Sequence, residues 1–137
     1  VFAYGNKFST NNLDFQKDDM VTSLLKFENG VVAKISANFP SRTNHHHKVA
    51  VYGTKATFLQ GHLGACYIKK NEDEEPIIKK LNDSYPGTKK SDLINNFVDT
   101  VLDKEVIEVN ANDIFEAMNI SLSIEESITT GRPVKIK

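Results

Sequence analysis

The chain has 137 residues, of which 39% are hydrophobic and 26% charged, and its formal net charge is −1. This length is sufficient for one domain with a hydrophobic core, and the balanced charge gives no general attraction to nucleic acid or anionic lipid. The single cysteine, Cys66, excludes an internal disulfide and is typical of a reducing compartment. Since no stretch is long and apolar enough to cross a bilayer, we expect a cytoplasmic protein that binds neither membranes nor nucleic acid.

The strongest local pattern is a hairpin centred on Asn29-Gly30. Two β-prone runs, from Met20 to Glu28 and from Val31 to Phe39, flank this pair. Asn-Gly favours a two-residue type I′ turn, which would place Phe27 opposite Val32 and fix the register of the whole ladder.

This register divides the side chains of the hairpin between two faces. One face, with Leu24, Ile35 and Phe39, is apolar enough to form a core beneath helices. The other face mixes apolar and polar residues, which suits a contact between copies of the chain. We therefore predict a homodimer or homotetramer that forms through this second face. The residues predicted to make the contact are Val21, Leu25, Phe27 and Val32.

The remaining elements are several strands followed by two helices. Strands are predicted over residues 47–53, 56–60, 65–69 and 77–81, before a polar loop over residues 82–90. Ser91 is the expected N-cap of the first helix and Asn110 that of the second, which should end at Gly131. A short strand over residues 134–136 should follow.

This order of elements predicts an α+β fold. Consecutive strands followed by consecutive helices favour a largely antiparallel or mixed open β-sheet with the helices packed on one face. The other face would then be open for oligomerisation.

Three sequence motifs then occur in an order that is typical of one family. Residues 18–30, DDMVTSLLKFENG, resemble the "DD-x-x-x-x-LL-x-FENG" strand and turn of the Gfo/Idh/MocA oxidoreductases. Residues 51–57, VYGTKAT, resemble the family's "V-x-G-T-x-G-x" stretch, with Ala56 where glycine is usual. The ending over residues 123–134 resembles "A-x-x-ES-x-x-TGRPV", so the motifs together cover nearly the whole chain.

Members of this family are two-domain enzymes. Their N-terminal Rossmann domain binds NAD or NADP, and their C-terminal α/β domain covers the substrate site and forms the contacts between subunits. The resemblance implies that residues 1–137 are a single domain, most of that C-terminal domain, from an NAD(P)-dependent parent protein. The family's catalytic lysine, its Asp/His helix and its glycine-rich fingerprint have no counterpart in this sequence. We therefore expect this chain, without the nicotinamide-binding domain, to hold no catalytic residue, bind no cofactor and be inactive alone.

The loop after Pro40 contains the candidate substrate contacts. In proteins that resemble this chain, the loop before the "V-x-G-T" strand lies near the cleft between the two domains. The side chains of Arg42, Asn44, His45 and His46 would offer a cation and neutral donors suited to hydroxyls or a phosphate.

The same loop offers two further interpretations. His45 and His47 alternate on an extended segment and could share a metal ion, but no Cys, Asp or Glu nearby offers a third ligand, so we expect no metal. Solvated histidines at a strand entrance are the other alternative.

Two classes of function follow from these observations. In the first, the parent enzyme oxidises a hydroxyl of a sugar, sugar nucleotide or polyol by hydride transfer to its nicotinamide cofactor, and this chain supplies walls of the substrate site and the oligomer interface. In the second, the chain is a non-catalytic assembly or ligand-sensing module that uses the open sheet face. The family resemblance favours the first class.

Overall fold

The computed structural model describes residues 1–62, 64–70, 75–82, 91–103, 106–107 and 109–136. Within these residues the chain forms seven strands and two helices. In chain order they are β1 (Phe2–Asn6), β2 (Met20–Lys26), β3 (Val32–Asn38), β4 (Val49–Tyr52), β5 (Thr57–Gly61), β6 (Gly64–Lys69), β7 (Ile77–Leu81), α1 (Asp92–Val101) and α2 (Ala111–Thr130). The predicted α+β class is confirmed, while most of the loop predicted over residues 82–90 lies outside the described residues.

The described strands form two antiparallel sheets where the sequence predicted one. The first sheet has the order β1-β2-β3 and the second has the order β4-β5-β6-β7. The chain divides into two compact units that correspond to these sheets. The first unit comprises Val1–Arg42 and Asn95–Lys137, and the second comprises Thr43–Ile94.

The observed pairing of β2 with β3 differs by one residue from the pairing predicted from the sequence. The Gly30 N–H donates to the Phe27 carbonyl at 3.0 Å, and the Phe27 N–H donates to the Val31 carbonyl at 2.8 Å, so the loop has three residues. Of the Asn-Gly pair only Gly30 has a positive φ, +89°, whereas a type I′ turn needs two such residues. Val32 therefore pairs with Lys26 and not with Phe27.

This shift also corrects the predicted faces of the sheet. Side chains alternate along a strand, so a shift of one residue moves a side chain to the other face of the sheet. The predicted register placed Leu24 on the face that carries Ile35, whereas in the structure Leu25 lies on that face. Leu25 is in fact 4% exposed, whereas Leu24 is 52% exposed. Val32, which is 66% exposed, lies on the same face as Leu24.

The single face predicted for the four oligomer residues is therefore wrong, whereas self-association itself stays a prediction. Val21 and Leu25 lie on the face toward α2, where Val21 lines a cleft with residues of that helix. Val32 lies on the opposite face, and Phe27 sits at the end of the ladder beside the turn. The four residues do not share one open surface.

Both ends of α2 are formed as the sequence predicted. The Asn110 side-chain oxygen accepts the Asp113 N–H at 3.1 Å, and the Asp113 carboxylate accepts the Asn110 N–H at 2.9 Å. This reciprocal pair is a capping box, which satisfies two backbone donors at the start of the helix. Gly131 closes the other end with φ of +65°, and its N–H donates to the Ser127 carbonyl at 2.9 Å.

Helix α2 packs against β1, and five of the buried residues of the first unit lie on this helix and its sheet. Ala3, Ser23 and Leu25 are buried on the sheet, and Ser123 and Ser127 are buried on the helix. The C-terminal segment, predicted as a strand, instead makes an isolated reciprocal pair of hydrogen bonds between Val134 and Val1, at 2.7 and 2.8 Å.

Candidate functional site

The four residues predicted to contact substrate are all exposed to solvent. Arg42 is the last residue of the segment Val1–Arg42 in the first unit, whereas Asn44, His45 and His46 belong to the second unit. The structure thus presents polar side chains on an open loop, and their role in substrate binding stays a prediction.

All four histidines of the chain belong to the second unit, where their rings form two pairs. The rings of His45 and His47 meet edge to face with their centroids 5.0 Å apart, as expected from alternation along an extended segment. The rings of His46 and His62 are closer, with centroids 3.7 Å apart and an interplanar angle of 32°. The proximity of His62 to the loop was not predicted from the sequence.

The approach of His62 to the loop follows from the pairing of β4 with β5. Val49 pairs with Gln60 at the end of this antiparallel ladder. If the same register is continued by two residues, position 47 comes opposite position 62, so His62 reaches the histidine segment. This pairing is the signal that could have found His62 in the sequence.

The backbone of the loop determines which nitrogen of His46 carries the proton. His46 Nδ1 lies 3.0 Å from the Asn44 carbonyl oxygen. Because a carbonyl oxygen can only accept, Nδ1 is the donor in this bond. In the neutral ring Nε2 is then left with a lone pair, which can accept a proton from a hydroxyl or bind a metal ion.

A second candidate site is a cleft within the first unit, between the β1–β2 loop and α2. Its volume is about 430 Å³. Aliphatic side chains from β2 and α2 contribute to its lining, and two lysines and two carboxylates lie among the polar lining residues. The lining residues are Lys7, Gln16, Lys17, Asp18, Val21, Ser121, Ile124, Glu125, Ile128 and Thr129. Lys17 and Glu125 form an ion pair, so these opposite charges neutralise each other and give the cleft little preference for a charged ligand.

Asp19, one of the adjacent carboxylates at the start of β2, supports the loop that borders this cleft. It is 2% exposed, and its Oδ2 accepts the Ser9 N–H at 2.9 Å. Its backbone donates to the Asn6 carbonyl at 2.9 Å and accepts the Phe39 N–H at 2.8 Å. These bonds give Asp19 a structural role.

The part of the chain that the structure describes contains neither a metal-binding cluster nor a membrane-spanning helix. No group of three or more His, Cys, Asp or Glu side chains there is arranged to hold a metal ion. Neither of the described helices combines the length and the apolar character that a bilayer crossing requires.

Comparison with known proteins identifies the family. The sequence model of the "Oxidoreductase family, C-terminal alpha/beta domain", which represents the Gfo/Idh/MocA proteins, matches residues 1–136. No curated protein matches the sequence significantly.

Solved structures share the fold at low sequence identity. A protein of Thermotoga maritima assigned as an oxidoreductase is similar with a TM-score of 0.74 and 14% identity, over 96% of this chain and 38% of that one. A protein of Desulfitobacterium hafniense assigned as an NADPH-dependent oxidoreductase gives 0.72 and 17%, over 98% and 41%. An NAD-binding protein of Listeria innocua gives 0.62 and 20%, over 95% and 39%.

The chain thus spans about two fifths of the length of each of these proteins. The match to the family model nevertheless covers the chain almost from end to end, and the α+β fold agrees with it. The chain belongs to the Gfo/Idh/MocA oxidoreductase family, as a C-terminal α/β domain of that family.

Proposed function

We propose that this chain is the substrate-side domain of an NAD(P)-dependent oxidoreductase that acts on a hydroxyl of a sugar, a sugar nucleotide or a polyol. The family match over residues 1–136 is the observation that carries this proposal. The similar structures named for NADPH dependence and NAD binding support a nicotinamide cofactor in the parent protein. In this proposal a separate domain binds the cofactor, which supplies the hydride chemistry, and the chain alone is inactive.

The polar side chains of the loop over residues 42–46 support a substrate rich in hydroxyl groups. Arg42 offers a guanidinium that can donate to a hydroxyl or a phosphate, and Asn44 and His45 offer further polar groups. His46 adds a nitrogen acceptor, because its Nδ1 proton is held by the Asn44 carbonyl. Donors and acceptors on one loop suit a sugar, whose hydroxyls both donate and accept.

The corrected register supports a revised surface for self-association. Tyr4, Leu24 and Val32 lie on the sheet face opposite α2, and each is more than half exposed. Polar and charged neighbours on the same face include Thr22, Lys26 and Ser36. An apolar patch with polar residues interleaved suits a symmetric contact between two copies, for which a specific interface would bury about 1,600 Å² in total.

The direct test is a nicotinamide assay with the protein at its full natural length. The purified protein is incubated with NAD⁺ or NADP⁺ and a panel of hexoses, sugar nucleotides and polyols, and reduced nicotinamide is followed by its absorbance. We expect turnover with at least one hydroxyl-bearing class and none when residues 1–137 are assayed alone.

Deoxy analogues of the active compound provide the matched control, because they lack the hydroxyl that would be oxidised. If no compound in the panel supports nicotinamide reduction, and no corresponding ketone or aldehyde supports its oxidation, the enzymatic proposal is wrong. Ligand binding without turnover would then favour the alternative of a non-catalytic sensing or assembly module.

A further inference from the structure

We propose that the cleft between the β1–β2 loop and α2 binds a small zwitterion with an apolar side chain, such as an aliphatic amino acid or a dipeptide of such amino acids. Lys7 would contact the carboxylate of this ligand and Asp18 its ammonium group. The cleft volume of about 430 Å³ lies within the range of about 300–1,000 Å³ that is usual for small-molecule sites. The inference does not rest on the proposed oxidoreductase function, because it uses only the lining of the cleft.

The Asp18 carboxylate reaches the cleft because residue 5 is a glycine. A Cβ atom at Gly5 would clash with Asp18 Oδ2 and would lie 2.8 Å from Asp18 Cγ, so the carboxyl group occupies the place of a side chain on β1. Gly5 pairs with Val21, and the side chains of paired residues lie on the same face of a sheet. Asp18 is therefore held over the face on which Val21 lines the cleft.

The charged groups of Lys7 and Asp18 are available to a ligand. Among the residues that the structure describes, neither side chain has a hydrogen-bond or ion-pair partner. Both side chains line the same cleft without pairing with each other, so each can pair with a group of a ligand. The other two charged residues of the lining, Lys17 and Glu125, pair with each other instead and connect the loop to α2.

This arrangement favours a zwitterion over other ligands. An anion would be attracted to Lys7 but repelled by Asp18, and a cation would show the reverse. An uncharged sugar would form hydrogen bonds but no ion pair with either residue. A molecule with one carboxylate and one ammonium group gains a charge-assisted hydrogen bond at each residue. Val21, Ile124 and Ile128 supply apolar lining, which suits an aliphatic side chain.

Leucine and leucylleucine are suitable probes, and each is titrated by calorimetry into the full-length protein. Leucinamide, which lacks the carboxylate, and isocaproate, which lacks the ammonium group, are the matched control ligands. Lys7→Met and Asp18→Asn each remove one charge with little change of shape. Lys34→Met is the control variant, because Lys34 pairs with Leu24 on the sheet face opposite α2.

We expect saturable binding of leucine or leucylleucine, and an affinity lower by about ten- to a hundredfold in Lys7→Met and in Asp18→Asn, since each loses one charge-assisted hydrogen bond. Gly5→Ala should also weaken binding, because the added methyl group displaces the Asp18 carboxylate while both charges are retained. Circular dichroism verifies that each variant is folded.

Three results would overturn the proposal. The first is that neither leucine nor leucylleucine binds. The second is that leucinamide or isocaproate binds as tightly as leucine, because one of the two charged groups would then be unnecessary. The third is that folded Lys7→Met or Asp18→Asn binds as tightly as Lys34→Met, because the ligand would then lie outside this cleft.

Discussion

Ser127 connects three segments of the first unit through a single hydroxyl. Its Oγ accepts the Ala3 N–H at 3.0 Å and donates to the Arg132 carbonyl at 2.7 Å, and the residue is fully buried. The serine thereby joins α2, strand β1 and the chain after the helix. Sequence patterns placed Ser127 in the family ending but did not indicate this role.

Ser127→Ala should destabilise the protein substantially. The substitution leaves the buried Ala3 N–H without its partner and removes the bond to the Arg132 carbonyl, and an unsatisfied buried polar group costs about 1–3 kcal/mol. Chemical denaturation of the full-length protein measures the loss of unfolding free energy. Thr129→Ala is the control, because its exposed hydroxyl bonds only to the Glu125 carbonyl one helical turn away. A loss no larger than in that control would contradict the role given to Ser127.

Arg42→Ala tests the proposed substrate contact in the full-length protein. Loss of a charge-assisted hydrogen bond costs about 1.5–3 kcal/mol, which corresponds to a decrease of roughly ten- to a hundredfold in kcat/KM. Because Arg42 is exposed, the melting temperature should hardly change. Lys55→Ala, at an exposed cation in the turn between β4 and β5, should leave both quantities unchanged. Wild-type kinetics in Arg42→Ala would refute the assignment.

The histidine cluster shows which part of a site can be predicted from residues alone. The contact of His45 with His47 follows from the alternation of side chains over two positions, and this contact is present in the structure. The contact of His46 with His62 spans 16 positions and depends on the register of a hairpin whose strands are only four and five residues long. Local periodicity contains no information about that register, so alternation alone does not place His62 beside the loop.

At the scale of elements, the sequence predicts helix ends better than strand faces. Asn110 and Gly131 were identified as the caps of α2 because capping depends on a few neighbouring residues. The β2–β3 hairpin was also located correctly, but its Asn-Gly pair is compatible with a two-residue turn and with a three-residue loop that ends in a left-handed glycine. The structure has the second form, with Gly30 at φ of +89°. A difference of one loop residue was enough to assign the side chains of β2 to the wrong face of the sheet relative to those of β3.

Neighbouring substitutions on β2 test the corrected faces. Leu24→Glu places a charge on the open face, so the full-length protein should stay folded but dissociate into smaller species. Leu25→Glu is the matched variant, and it should fail to fold or lose several degrees of melting temperature, because a carboxylate at this buried position would lose its hydration.

Light scattering and thermal melting separate these outcomes. If Leu25→Glu is folded and monomeric while Leu24→Glu remains oligomeric, the original assignment of faces was right and the observed register is wrong. If neither variant changes the oligomeric state of a folded protein, the sheet face is not the interface.

At the scale of the molecule, both helices keep apolar side chains exposed. Phe97 and Val101 on α1 and Phe115 and Leu122 on α2 are each more than half exposed. Exposed apolar patches on a folded domain commonly mark surfaces that contact other protein. This observation agrees with the proposal that the chain works as one part of a longer enzyme, since it spans about two fifths of the similar structures.

Nicotinamide binding tests the central claim, that this chain is the substrate-side domain of an oxidoreductase whose cofactor binds elsewhere. NADH and NADPH are titrated by calorimetry into the full-length protein and into residues 1–137 alone. The account predicts saturable binding of at least one cofactor to the full-length protein and none to residues 1–137. Saturable micromolar binding to residues 1–137, or no binding of either cofactor to the full-length protein, would contradict it.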